Sequence, residues 1–187
     1  MKTCLNAELA DTFGNLLNRC TSNKLNPQQY YPQNISLNEM NEILPESMET
    51  IDYIQNLSKQ CYQAYSDGNF HIGIAHVMTG LRLVNSLFNI IRPWEFAKNS
   101  NNEINQKRLE CLLFLSLESI RIAAILLKPI IPNISTSIFR KLNIQPEFCL
   151  WKSAEMNVTQ HELYSHHHQL HVNRISTEKL IIFSKLI

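Results

Sequence analysis

Four glycines in 187 residues are few, and the seven prolines sit mostly between apolar-periodic segments instead of inside them. Both features favour long helices over many short strands. Charge of one sign is also missing. With a formal net charge of +1 the chain is not a polyelectrolyte binder, so any nucleic-acid contact must be local and selective, with a modest salt-dependent phosphate term. The five cysteines, Cys4, Cys20, Cys61, Cys111 and Cys149, are odd in number and widely spaced. No CxxC pair exists, which excludes a zinc knuckle. Cys20 and Cys111 fall on apolar helical faces and read as reduced core residues, in keeping with a reducing compartment. No run of 18 or more consecutive apolar residues is present, so no membrane span is expected. The first residues carry Glu8 and Asp11 in an amphipathic pattern. They lack the apolar centre of a signal peptide and the acid-poor, Arg-rich character of a transit peptide.

What is present is ordinary for a soluble globular chain: 44% apolar and 18% charged residues. The length suits one domain, or one domain with an appended tail, and suffices to bury roughly 70% of the unfolded surface. Leu5, Leu9, Phe13, Leu16, Leu17 and Cys20 recur at helical spacing and predict a helix over residues 4–21. Residues 22–45 are polar, rich in Asn and Pro, and predict a long connection with at most short helical turns. A second helix is predicted from about Pro45 to Ser66, with Met48, Ile51, Tyr53, Ile54, Leu57, Cys61 and Tyr65 inward. Asp67-Gly68-Asn69 is a turn signal. A third helix follows over Phe70 to Ile91, with the stripe Phe70, Ile74, Val77, Met78, Leu81, Val84 and Phe88. A fourth, from about Ile104 to Lys128, is apolar on nearly every side and belongs at the centre of a bundle. Pro129 and Pro132 bracket its end, and a short helix from Asn133 to Leu142 closes the set. The fold class is therefore all-α, an antiparallel helical bundle over residues 1–142. Residues 143–187 form an irregular tail with a possible short strand near 179–183.

The third helix stops at Arg92-Pro93 and is followed at once by Trp94. A tryptophan just past a helix stop is a flat ring on a rigid mount, suited either to stacking on an unpaired base or to plugging a gap between helices. On the first helix, Asn15 and Arg19 lie one turn apart, about 40° around the axis, so their side chains point the same way. An amide and a guanidinium together offer an acceptor and donors to the edge of a base, but on pattern alone such a pair is more often a solvated helix face.

Four segments in order carry a resemblance. They are LADTFGNLLNRC over Leu9 to Cys20, Asn85-Ser86-Leu87-Phe88 running on to Pro93-Trp94, Lys128-Pro129-Ile130-Ile131-Pro132, and the terminal LIIFSKLI. Together they resemble the C-terminal anticodon-binding domain of methionyl-tRNA synthetase, most closely its mitochondrial form, well over residues 5–142 and loosely beyond. Leu87 departs from the family pattern, where an aromatic residue is common, and reads as packing. The resemblance implies that Asn15, Arg19 and Trp94 recognise the CAU anticodon of methionine tRNA, with the tryptophan under the first anticodon base. Arg82, Arg92 and Lys98 are weaker candidates for phosphate contacts.

It also implies what this chain does not carry. The family is an ATP-dependent methionine–tRNA ligase, but no Rossmann domain to hold ATP is visible here, so no cofactor and no catalytic residue is assigned. The partners implied are methionine tRNA and a catalytic domain supplied elsewhere, with no membrane, as a monomer in the mitochondrial matrix. His71-Ile72-Gly73-Ile74 imitates the His-Ile-Gly-His of class I synthetases, but its fourth residue is Ile74 and it opens a bundle helix. No Lys-Met-Ser-Lys-Ser loop is present. His161, His166, His167, His168 and His171 read as a polar loop, since three consecutive histidines cannot point one way and no Cys or carboxylate pattern accompanies them. Two other readings stand beside this one. One is a bundle from a sister synthetase of the leucyl or cysteinyl type. The other is a protein-interaction bundle, in which Trp94 would be buried and Arg19 paired with a carboxylate.

Overall fold

The computed structural model describes residues 11–96, 102–156 and 174–177. Lys98, the histidines from 161 to 171 and the expected strand near 179–183 lie outside the described residues, as do the first ten residues.

The described residues form an all-helical bundle. A helical turn over residues 11–14 runs into α1 (Asn15–Cys20). The polar connection holds one two-turn helix, α2 (Leu37–Ile43), started by the Ser36 hydroxyl accepting from the Glu39 amide at 3.1 Å. Ser-x-x-Glu is the capping signature that makes so short a helix worthwhile. A 3₁₀ turn at Pro45–Ser47 leads into α3 (Met48–Ser66), and the Asp67–Asn69 turn, with Gly68 at φ 73°, reverses the chain into α4 (Phe70–Ile91). A one-turn helix, α5 (Pro93–Phe96), precedes the long α6 (Glu103–Leu127), and α7 (Pro132–Leu142) folds back on it.

The centre is α6. Residues 111–127 are buried without a break, the outcome of an apolar sequence on every side. α4 packs against α3 and α6, and α1, α2 and α7 each cover another flank of α6. By length and hydropathy alone α4 could cross a membrane. Its stripe of Val77, Met78, Leu81, Val84 and Phe88 is instead consumed by the bundle core. Phe70 departs from the expected stripe. It is 51% exposed, because the first residue of α4 lies at the rim, where its ring stacks on Tyr65 with centroids 5.4 Å apart. Leu87 is buried, as the packing reading required. Cys20, Cys61, Cys111 and Cys149 are free and buried, and desolvation pushes the thiols of Cys20 and Cys111 up to about 12. They are core residues, with too little thiolate to react at neutral pH.

Gly73 explains the imitation synthetase motif in packing terms. His71 and Ile72 are exposed on the first turn of α4, whereas Gly73 is buried. A Cβ on Gly73 would fall 2.1 Å from the Tyr65 ring, and that ring is tied to α6 by its hydroxyl donating to the Leu126 carbonyl at 3.2 Å. Gly73→Ala is expected to lower stability by about 1–3 kcal/mol through overpacking, read from the midpoint of urea unfolding. An unchanged midpoint would show that Tyr65 swings aside freely.

The described part of the tail packs on the same core. Ile144, Cys149, Ala154, Met156 and Ile175 are buried with it. Arg121 of α6, itself fully buried, donates to the carbonyls of Ser153 and Glu155. Farther on, the Ile175 amide donates to the Gln29 carbonyl at 2.8 Å, and Lys141 Nζ donates to the Ser176 carbonyl.

Candidate nucleic-acid interface

The apolar positions of α1, Leu16, Leu17 and Cys20, are buried against the core, which turns Asn15 and Arg19 outward. The Asn15 amide donates back to the Asp11 carbonyl at 2.8 Å. This bond fixes the side chain along the helix and leaves its Oδ1 unengaged among the described residues.

Arg19 lies across α4. Its Nη1 donates to Asn85 Oδ1 at 3.3 Å, and its guanidinium carbon stands 5.6 Å from the centroid of the Phe88 ring. Asn85 in turn donates to the carbonyls of Thr12 at 3.1 Å and Leu81 at 3.2 Å. Arg19 has no carboxylate partner among the described residues, contrary to what a protein-interaction bundle required. The role of Asn85 and Phe88 was not visible as chemistry in the sequence. The signals were their place in the segment that carries the family resemblance and their i, i+3 spacing, which puts both on the α4 face that meets α1.

Phe88 sits one turn, roughly 5 Å along the axis, before the end of α4. That end is abrupt. Arg92 adopts the left-handed conformation at φ 50°, with its amide still bonded to the Phe88 carbonyl at 3.0 Å, and Pro93 starts α5. Proline at a first helical position costs nothing, since its missing N–H would be unpaired there anyway. Two anchors hold α5 down: Pro93 is buried, and the Phe96 ring lies under the Arg108 guanidinium at 5.9 Å. Arg108 is fixed by its bond to the Ile43 carbonyl at 2.9 Å and by its ion pair with Glu46. Desolvation alone would raise the Glu46 carboxyl, but hydrogen bonding from Arg108 and from the backbone, with the arginine charge, brings it below its ordinary value. With Pro93 and Phe96 turned inward, Trp94 faces out, 45% exposed. The interaction-bundle reading required it to be buried.

The structure thus places Arg19 directly on α4 and Trp94 just past the end of that helix, with Asn15 one turn before Arg19. Of the phosphate candidates, Arg82 and Arg92 are both exposed. Arg82 donates to Thr79 Oγ1 at 3.3 Å, and Arg92 pairs with Glu95 at 3.4 Å. A cavity of about 360 Å³ opens on another side of α1, lined by residues that include Leu17, Asn18, Thr21 and Gln29. None of Asn15, Arg19 and Trp94 borders it.

No protein-family model matches the chain. It is 30% identical over 151 residues to the mitochondrial methionine–tRNA ligase of Takifugu rubripes, covering 79% of this chain and 25% of the relative. It is 34% identical over 144 residues to the methionine–tRNA ligase of a Nostoc species, covering 77% and 26%. The free-state crystal structure of methionyl-tRNA synthetase from Mycobacterium tuberculosis superposes over 100% of this chain and 34% of its own, with a TM-score of 0.80 at 20% identity, a likeness of fold. The chain therefore spans about a quarter to a third of the length of these relatives.

Proposed function

We propose, starting from a chain that belongs to the methionyl-tRNA synthetase family, that its bundle binds the CAU anticodon of methionine tRNA through Asn15, Arg19 and Trp94. The observation that carries this reading is the state of Arg19. It is exposed and held against α4 by a neutral amide and a ring, with no carboxylate to neutralise it among the described residues. A guanidinium so placed keeps donors for an outside acceptor. Trp94 offers a stacking face at the end of the same helix.

The chemistry favours cytosine at the first anticodon position. Cytosine presents adjacent N3 and O2 acceptors, which a guanidinium can meet with two donors, and an N4 amino donor, which Asn15 Oδ1 can accept. Uracil keeps the O2 acceptor but reverses the other two sites, placing N–H at N3 and an acceptor at O4. Single-stranded loops are read in this way, by edge hydrogen bonds together with stacking. Arg82 and Arg92 are suited to the phosphates on either side, where a few cations suffice because the chain as a whole is near neutral.

In a complete synthetase such a module would hold the tRNA while a separate ATP-binding body charges its 3′ end. We assign no ATP site, metal or catalytic residue to this bundle. Both mitochondrial and cyanobacterial relatives are similar. The mitochondrial matrix is our reading of where it acts, and a monomer is the form we expect.

The test is a titration of a CAU anticodon hairpin against one with UAU. The CAU hairpin is expected to bind at least about tenfold tighter, the discrimination that one or two misplaced hydrogen bonds to a base produce. Equal binding of both would refute the anticodon reading.

A further inference from the structure

We propose that Asn85 is a positioning residue that sets the Arg19 guanidinium for base reading, and through it the preference for cytosine. The inference rests on the anticodon reading above and adds to it a residue that never touches the RNA.

Asn85 lies on α4, half-buried, and its amide is fully specified. Nδ2 donates to two backbone carbonyls, that of Leu81 within its own helix and that of Thr12 in the turn leading into α1. Carbonyls accept only, so the amide cannot flip without facing oxygen to oxygen at both partners. Oδ1 is thereby forced toward α1, where it receives Arg19 Nη1 at 3.3 Å. Phe88, one turn along and fully buried, supplies a face beneath the guanidinium. The two contacts fix the guanidinium and its plane while spending one of its N–H groups.

An exposed arginine otherwise samples many rotamers, and each must be frozen when the base arrives. Asn85 removes much of that cost beforehand and decides which donors remain for N3 and O2. The same residue also ties α1 to α4 through Thr12, so a purely structural role is the competing explanation, and the test has to separate the two.

The experiment measures binding of the CAU and UAU hairpins to the wild type, Asn85→Ala, Arg19→Ala and the double variant, below the melting temperature of each. Wild-type preference for CAU is the precondition. Its absence overturns the anticodon reading together with this inference, and is seen before any variant is made. Given that preference, Asn85→Ala is expected to lose about tenfold in affinity for the CAU hairpin, the scale of a lost hydrogen bond to a charged group, and to change UAU binding little. In the Arg19→Ala background the same substitution should change neither hairpin, because the two residues act as one. Equal weakening of both hairpins, or a loss that persists without Arg19, overturns the positioning role and leaves Asn85 as a tie between helices. Arg19→Lys serves should Asn85→Ala not fold. Lysine keeps the charge but lacks the planar fork that meets Asn85 and a base together, so it should lose the preference for CAU, and retention of that preference overturns the inference.

Discussion

Replacing Trp94 by alanine is expected to weaken binding of the CAU anticodon hairpin by about 5- to 150-fold and to leave the melting temperature nearly unchanged. The binding loss follows from removing a base–aromatic stack, worth on the order of 1–3 kcal/mol. The unchanged stability follows from the way α5 is held. Pro93 is buried and Phe96 lies under Arg108, whereas the Trp94 ring is 45% exposed between them. Truncating it removes little buried apolar surface, and surface changes of this kind usually fall within about 0.5 kcal/mol. Trp94→Phe should recover part of the affinity, since a smaller ring still stacks. The opposite pattern, a large fall in melting temperature with hairpin binding intact, would return Trp94 to the role of a packing residue.

The elements were legible in the sequence where one physical signal dominated. The 3.6-residue stripe of α4 and its Asp67–Asn69 and Pro93 boundaries predict Phe70 to Ile91, and the structure has those limits. α6 was readable as the centre because its apolar residues leave no polar face. Failures came where local pattern and tertiary surroundings part company. Phe70 fits the stripe by spacing, but a stripe describes an infinite helix and says nothing of where the core ends. α2 carries its signal in a single Ser36-x-x-Glu39 cap within a stretch otherwise read as connection. In the candidate site, Asn15, Arg19 and Trp94 were nameable as base-reading types. The support of Arg19 by Asn85 was not, because a hydrogen bond across 66 residues leaves no trace in composition or period. The same holds for Glu118 and Arg121. In the sequence they look like two charges interrupting an apolar helix, and in the structure they are fully buried and bonded to each other.

That pair gives the largest stability effect expected in the molecule. Glu118 and Arg121, one turn apart on α6, are both fully buried and bonded to each other twice, at 2.8 and 3.1 Å. Tyr31 donates its hydroxyl to Glu118 Oε1 at 2.7 Å, and burial together with the Glu118 charge holds its phenol well above the ordinary value. Arg121 also donates to the carbonyls of Ser153 and Glu155. The pair thus joins the loop after α1, the central helix and the start of the tail. Arg121→Met removes the donors and strands a carboxylate with no water to take it up. Breaking a buried pair from one side costs about 3–5 kcal/mol, so the urea midpoint should fall sharply, and a loss below about 1 kcal/mol would contradict the burial of the charge. The double variant Glu118→Leu/Arg121→Met separates charge from connection. If the penalty is mainly the stranded carboxylate, the double variant should be more stable than Arg121→Met alone, because a well-packed apolar pair can match an ion pair in a core. It should remain below the wild type, since the Ser153 and Glu155 carbonyls lose their donor in both variants and the Tyr31 hydroxyl loses its acceptor in the double one. A double variant no better than the single one would mean that the tail and loop anchors outweigh the charge. Cys20 of α1 is buried in the core that α6 centres, and Tyr31 closes the loop that leaves α1. A loosened Tyr31 should therefore be felt at Arg19 as weaker hairpin binding, even under conditions where Arg121→Met is still folded.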